Sequence, residues 1–340
     1  MKIAIDAQLA IGTATGIGEY VRGLSAALRE LGADVEELQE PALDPWRFDR
    51  RFVWDQFLLP LRARKSRADL LHCAAGTMPL RSAIPIVVTV HDMAWLKAQA
   101  HAPAYARWYF GRYSLSRYRY AKHIVVDSHF SRSELLGRLD VDARKVSVVY
   151  PGVSSDFFQT VRPQNAGETI LVVGTVEPRK NIGVLIRALP EVPGATIVSI
   201  GPSTPYRREC ERLAQRLGVG DRVDFRGYVS RAELLRWYAT CAVAAVPSLY
   251  EGFGYAAAQA LCAGVPLLVS DASSLPEIAG SDATIVAAKS VGEWATALRR
   301  SLSSDAPNAA RTNASRERAA ARFSWRSSAV AMRDVFSMVV

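Results

Sequence analysis

Residues 241–270 constrain this chain more than any other stretch. Cys241-Ala-Val-Ala-Ala-Val-Pro-Ser-Leu-Tyr250 is a short apolar run closed by Pro247, and Glu251-Gly-Phe-Gly-Tyr255 follows it with two glycines. Ala256-Ala-Ala-Gln-Ala-Leu-Cys-Ala-Gly264 is rich in Ala and Leu and is stopped by Gly264 and Pro266, after which the chain turns apolar again up to Ser270. The pattern predicts strand, loop, helix, strand, the repeating unit of a parallel α/β sheet. In such a sheet ligands bind beyond the carboxyl ends of the strands, and Glu251 falls there. Gly252 and Gly254 let the backbone approach a ligand while the N–H groups opening the helix point at it, which suits an anion. Gln259 is the only strongly polar side chain of that helix, and a buried amide must find partners in the core or in a ligand.

The same unit recurs in both directions. A strand over 2–7 leads into Gly12-Thr-Ala-Thr-Gly-Ile-Gly-Glu-Tyr20, after which Ile17, Val21, Leu24, Leu28 and Leu31 repeat at helical spacing up to Gly32. A glycine loop between strand and helix suits a phosphate, although Gly16-Ile-Gly18 alone serves equally to pack a strand on a helix. Further strands are expected over 69–73 and 84–90, the second ending in His91-Asp92, then over 124–127 and 146–152. Ser131-Arg-Ser-Glu134 reads as a capping box opening a helix to Leu139. A polar, irregular linker is expected over 152–167. Beyond it a strand over 169–174 leads through Thr175-Val-Glu-Pro-Arg-Lys-Asn181 into a helix carrying Ile182, Leu185, Ile186 and Leu189. Arg179 and Lys180 at that helix start oppose its dipole by a few tenths of a kcal/mol, about what an anionic ligand would offset. Strands over 195–201 and 223–227 complete the pattern, with Gly201 expected close to the ligand.

At 340 residues the chain is long enough for two α/β domains of about 150 residues each. Its four cysteines, Cys73, Cys210, Cys241 and Cys262, lack the paired spacings of zinc sites, redox motifs or disulfide frameworks, which fits a reduced compartment. With Asp6 where a signal peptide needs apolar residues, and no long apolar run, the expected location is the cytoplasm, at the inner face of the membrane. Residues 47–122 hold 14 Lys/Arg against Asp49, Asp55, Asp69 and Asp92, a net +10 in a chain whose total is +9. One face of the first half is therefore expected to be basic. From Tyr105 to Tyr120, aromatics including Trp108, Tyr109 and Tyr118 alternate with Arg107, Arg112, Arg117 and Arg119. That mixture suits contact with an anionic membrane surface or, for some of the rings, a core. A basic pI alone does not indicate nucleic acid, and no nucleic-acid module is present.

Taken together, these motifs resemble the retaining glycosyltransferases of family four, which have the GT-B fold of two doubly wound, Rossmann-like domains facing across a cleft. The resemblance covers almost the whole chain. It implies an N-terminal acceptor-side domain over 1–160, a nucleotide-sugar-binding domain over 161–322 and a C-terminal helix over 323–340 returning to the first domain. By position in the motifs, Glu251 would contact the transferred sugar, and Gln259 the ribose, standing where the family has a second Glu. Gly252, Phe253, Gly254 and Tyr255 would complete the donor loop, and Gly16 would lie against the diphosphate. His91 would reach the donor sugar from the other domain. Lys180 matches a diphosphate-binding Lys, whereas the family's Arg position is Thr175 here, so Arg179 is expected to substitute. No metal is expected, Asp140-Val-Asp142 being read as surface. The resemblance implies a hexosyl donor, GDP-mannose by the form of residues 174–181, and a lipid-linked or oligosaccharide acceptor in surface polysaccharide synthesis. An epimerase of the same fold, or a nucleotide-sugar-binding protein without transferase activity, is the alternative.

Overall fold

The computed structural model describes residues 1–12, 16–44, 47–96, 104–162, 167–303 and 309–340. The chain divides into two compact units, residues 1–152 with 323–340, and residues 153–322. Thr13, Ala14 and Thr15 of the glycine loop and Pro163 and Asn165 of the expected linker lie outside the described residues.

The first unit is built on six parallel strands: β1 (Lys2–Asp6), β2 (Asp34–Leu38), β3 (Leu70–Cys73), β4 (Ile86–Val90), β5 (His123–Val126) and β6 (Val146–Val148). Their order in the sheet is β2-β1-β3-β4-β5-β6. Every residue of β3, β4 and β5 is buried, as expected of parallel strands covered on both faces, and this is why they read as apolar runs without alternation. The helix Gly16–Glu30 covers one face through Tyr20, Val21, Leu24 and Leu28. The final helix, Trp325–Ser337, packs there too, through Ala329, Met332, Val335 and Phe336. A Cβ on Gly23 would stand 2.0 Å from the Trp325 ring, so the glycine is what lets the terminal helix approach.

Not all of the basic stretch is surface. Arg51 is 2% exposed, and its guanidinium donates to Asp6 Oδ2 at 2.7 Å and to Thr77 Oγ1 at 2.8 Å, with Asp55 at 2.9 Å. Trp54 Nε1 donates to Asp6 Oδ1, and Tyr109 donates its hydroxyl to Asp55 Oδ2. Burial, opposed by the Arg51 charge, pushes the Asp55 carboxyl up to about 6. This network ties the helical segments 48–65 and 104–118 to the carboxyl end of β1. The aromatic run divides accordingly: Tyr109 and Tyr118 are core, while Tyr105, Trp108 and Tyr120 are exposed.

The second unit carries β7 (Thr169–Val173), β8 (Thr196–Ile200), β9 (Val223–Gly227), β10 (Val243–Val246), β11 (Leu267–Ser270) and β12 (Thr284–Val286). Their order is β12-β11-β10-β7-β8-β9, again parallel. The chain runs outward from β7 to β9, then returns to place β10 on the other side of β7. Loops leaving β7 and β10 therefore diverge at a topological switch point, where open α/β sheets bind ligands.

Two local expectations are corrected. The helix expected to open at Ser131 starts a turn earlier, over His129–Leu136, because Ser128 Oγ accepts the Ser131 N–H at 3.0 Å and is the true cap. Within the expected linker, Ser155–Phe158 is a short helix, ordered because Phe157 is fully buried against Tyr238.

Candidate functional site

The loops after β7 and β10 are laced together. Leu249 N–H donates to Arg179 O at 2.7 Å, and Asn181, left-handed at φ +55°, donates its side-chain amide to Pro247 O at 3.0 Å. This brings Glu251, 7% exposed, against both cations. Lys180 Nζ lies 2.6 Å from Glu251 Oε1, and Arg179 Nη1 lies 3.4 Å from Oε2 while also donating to Tyr250 O. Arg179 Nη2 is paired with Glu177 at 2.8 Å. The two cations sit in the turn Pro178–Lys180, ahead of the helix Ile182–Ala188, and these carboxylates offset the dipole cost expected there. Burial works against an ionised Glu251, yet Lys180 and then Arg179, with hydrogen bonds from Lys180 and Ser248, hold its carboxyl below the ordinary value. Glu251 is therefore a carboxylate at neutral pH.

Gly254, left-handed at φ +99°, caps the helix Tyr255–Cys262, and a side chain there would meet Leu275 at 2.8 Å. Phe253 is 4% exposed, with its ring 5.7 Å from that of Tyr255. Gln259 is buried, and its Oε1 accepts from the Tyr238 hydroxyl at 3.2 Å. One end of the amide thus serves the core.

In the first unit, Gly16 opens its helix, and a Cβ there would meet nothing within 4 Å. His91 follows β4 directly, and both its ring nitrogens are engaged: Nδ1 with Asp127 Oδ2 at 2.7 Å and Nε2 with Ala74 O at 2.8 Å. A carbonyl only accepts, so Nε2 carries a proton. Burial would favour the neutral ring, but the Asp127 charge, its hydrogen bond and the Ala74 carbonyl outweigh it, and the His91 pKa is raised. Asp127 is itself pushed up by burial. Asp142 of the Asp-x-Asp caps a turn and pairs with Arg144, at 44% side-chain exposure. Among the described residues no group of three His, Cys, Asp or Glu is placed to hold a metal.

Sequence reasoning did not single out Asp127 or Ser248, whereas Ser273-Ser-Leu-Pro-Glu277 is a further stretch that resembles the family pattern. For Asp127 a signal exists, since it follows the carboxyl end of a strand as His91 does. Ser248 carries none beyond its closeness to Glu251.

Two Rossmann-like units, each an all-parallel sheet with its loops gathered at the carboxyl edge, make this a GT-B fold. The fold matches sucrose-phosphate synthase from Thermosynechococcus elongatus over 99% of this chain and 98% of that one, at TM-score 0.79 and 21% identity. It also matches HepE from Anabaena, solved in complex with UDP-glucose, over 99% and 100%, at TM-score 0.75 and 17% identity. Residues 14–157 match the model for glycosyltransferase family 4, and residues 154–318 match that for glycosyl transferases group 1. The chain is 30% identical to the D-inositol 3-phosphate glycosyltransferase of Xylanimonas cellulosilytica, over 96% of its own length and 92% of that protein. It is 30% identical to the protein of the same name from Mycolicibacterium smegmatis over 72% of its own length, spanning 60% of that relative. The chain belongs to the family 4 and group 1 glycosyltransferases.

Proposed function

We propose that this chain transfers a hexosyl group from a nucleoside-diphosphate sugar to an acceptor hydroxyl, retaining anomeric configuration and using no metal. One observation carries the reading: a buried, ionised Glu251 held between Lys180 and Arg179 at the switch point of the second sheet. As the bond from the anomeric carbon to the phosphate oxygen breaks, its electron pair goes to the phosphate and positive charge builds on the sugar. The acceptor hydroxyl attacks the same face and its proton passes to the departing phosphate oxygen. Glu251 favours the cationic sugar. Lys180 has three N–H donors, of which Glu251 takes one, and the others serve the diphosphate together with Arg179, the backbone N–H groups of residues 252–255 and the Gly16 loop. Gln259 Nε2 is assigned to the ribose, Phe253 and Tyr255 to shaping the donor loop, and His91 to orienting the sugar.

The favoured donor is GDP-mannose, and the acceptor class is a lipid-linked or oligosaccharide hydroxyl in surface polysaccharide synthesis. The exposed Tyr105, Trp108 and Tyr120, with exposed Arg107, Arg112 and Arg119, support contact between the first unit and an anionic membrane from the cytoplasmic side. Among the described residues no helix is long and apolar enough to cross one.

The test is a thermal-shift panel of GDP-mannose, UDP-glucose and a dTDP-sugar, followed by product analysis of each binder with acceptor, in EDTA and in magnesium. Stabilisation by one sugar nucleotide, with metal-independent transfer giving the retained anomer, is expected. Donor binding without transfer would favour a binding protein, a reading supported by the engagement of Gln259 Oε1 in the core. Isomerised donor without acceptor would indicate an epimerase.

A further inference from the structure

The loop bearing Glu251 is gripped by serine hydroxyls from two sides. Ser248, 1% exposed and just past the end of β10, donates to Glu251 Oε1 at 2.7 Å, the oxygen that also takes the Lys180 ammonium. Ser248 is held in turn, its carbonyl accepting from Ser270 Oγ at the end of β11. On the backbone side, Ser273 Oγ accepts the Glu251 N–H at 2.8 Å, and Ser274 Oγ donates to the carbonyls of Glu251 at 3.0 Å and Phe253 at 2.8 Å. Ser273 is left-handed at φ +56°, a strained conformation for a serine, and its hydroxyl bonds help to hold it there.

We propose that Ser248 is a positioning residue for the Glu251 carboxylate, with Ser273 and Ser274 fixing the backbone beneath it, so that Oε2 is the oxygen presented to the donor sugar. The inference rests on the reading of Glu251 as the sugar-contacting carboxylate. Oε1 accepts from two strong donors, Lys180 and Ser248, whereas among the described residues Oε2 has only the 3.4 Å contact with Arg179. A sugar hydroxyl therefore finds its acceptor capacity at Oε2. Lys180 alone does not fix the carboxylate plane, because an ammonium on a flexible stem follows the oxygen if it turns. Ser248, short and anchored at a strand end, does not follow. Its hydrogen bond also favours the charged form of the carboxyl.

Full-length Ser248→Ala, Ser248→Thr, Ser274→Ala and Glu251→Gln are compared in steady-state kinetics across pH with the donor that the panel identifies. Ser248→Ala lowers kcat roughly tenfold, with donor KM changed less than about twofold. Its acid limb moves to higher pH, because losing a donor to the carboxylate raises the Glu251 pKa. Ser248→Thr keeps the hydroxyl and the wild-type limb, and this arm decides the matter if the alanine variant fails to fold: a displaced limb there overturns the proposal. Ser274→Ala, which touches only loop carbonyls, lowers kcat without moving the limb. Wild-type kcat and limb in Ser248→Ala beside an inactive Glu251→Gln would overturn the role of Ser248 and leave that of Glu251 standing. Full turnover in Glu251→Gln would instead remove the functional reading itself.

Discussion

Lys180 and Glu251, 71 residues apart in sequence, meet at 2.6 Å because β7 and β10 are sheet neighbours and hydrogen bonds tie the loops that leave them. Both side chains are largely shielded, at 20% and 10% exposure, so this is no surface pair. Lys180→Met is expected to lower turnover by about 10²-fold or more, since it removes the main counter-charge of Glu251 and, in the proposed function, a hydrogen-bond donor to the diphosphate. It also changes acid stability. Glu251 has a depressed pKa in the folded chain, so its contribution is present above its unfolded value, about 4.3, and is lost as pH falls through the folded value. Without Lys180 the folded value rises, and the loss of stability on acidification starts at higher pH. Urea midpoints measured from about pH 3 to 6 check this; identical profiles for variant and wild type would contradict it.

The His91–Asp127 pair carries the opposite sign. The raised His91 pKa means that its stabilising contribution is complete below the ordinary value of about 6.5 and is lost as pH rises through the folded value. Asp127→Asn keeps the shape but removes the charge that outweighs burial, so the imidazole should titrate at lower pH than in the wild type. An NMR titration of the His91 ring, assigned by its absence in a His91→Gln variant, gives the answer. An unmoved midpoint would show that Asp127 does not hold the proton.

What sequence made legible, and what it did not, follows from the range of each interaction. Parallel strands covered on both faces must be apolar runs, so the strand–loop–helix units and the loop positions of Glu251, Arg179, Lys180 and His91 could be read directly. The pairing of Glu251 with Lys180 could not, because it depends on β10 returning beside β7, and no local pattern encodes strand order. Arg51 shows the same limit. In a stretch of net +10 it read as one more surface cation, yet Asp6 and Asp55 make it core. Even the cap of one helix was placed a turn late: Ser128 and Ser131 both offer a hydroxyl, and the Glu at position 134 pointed to the wrong one.

Arg51→Met should cost the first unit about 3–5 kcal/mol, because a well-sized apolar side chain leaves the Asp6 and Asp55 carboxylates facing each other without a cation. The double variant Asp55→Asn with Arg51→Met removes one of those charges and should recover part of the loss. Urea unfolding followed by fluorescence reports both. If the single substitution is neutral, the network contributes specificity to the fold and little stability.

Gly201 and Gly16 make a contrasting pair. A Cβ on Gly201 would stand 2.3 Å from the Gly174 carbonyl oxygen, at φ +144°, so Gly201→Ala must separate the end of β8 from the loop that follows β7. That loop leads to Lys180, whose Cε lies 3.5 Å from where a Gly174 Cβ would stand. The expected result is a loss of about 2–4 kcal/mol in stability together with weaker donor binding. At Gly16 the added methyl meets none of the described residues within 4 Å and stands at a helix start, so stability should stay within about 1 kcal/mol of wild type. A drop in donor affinity in Gly16→Ala then reports the ligand's own contact with that backbone, because the described residues give the methyl no other neighbour. Calorimetric titration with the donor, alongside thermal unfolding of both variants, separates the two cases, and unchanged affinity in Gly16→Ala would remove Gly16 from the donor site.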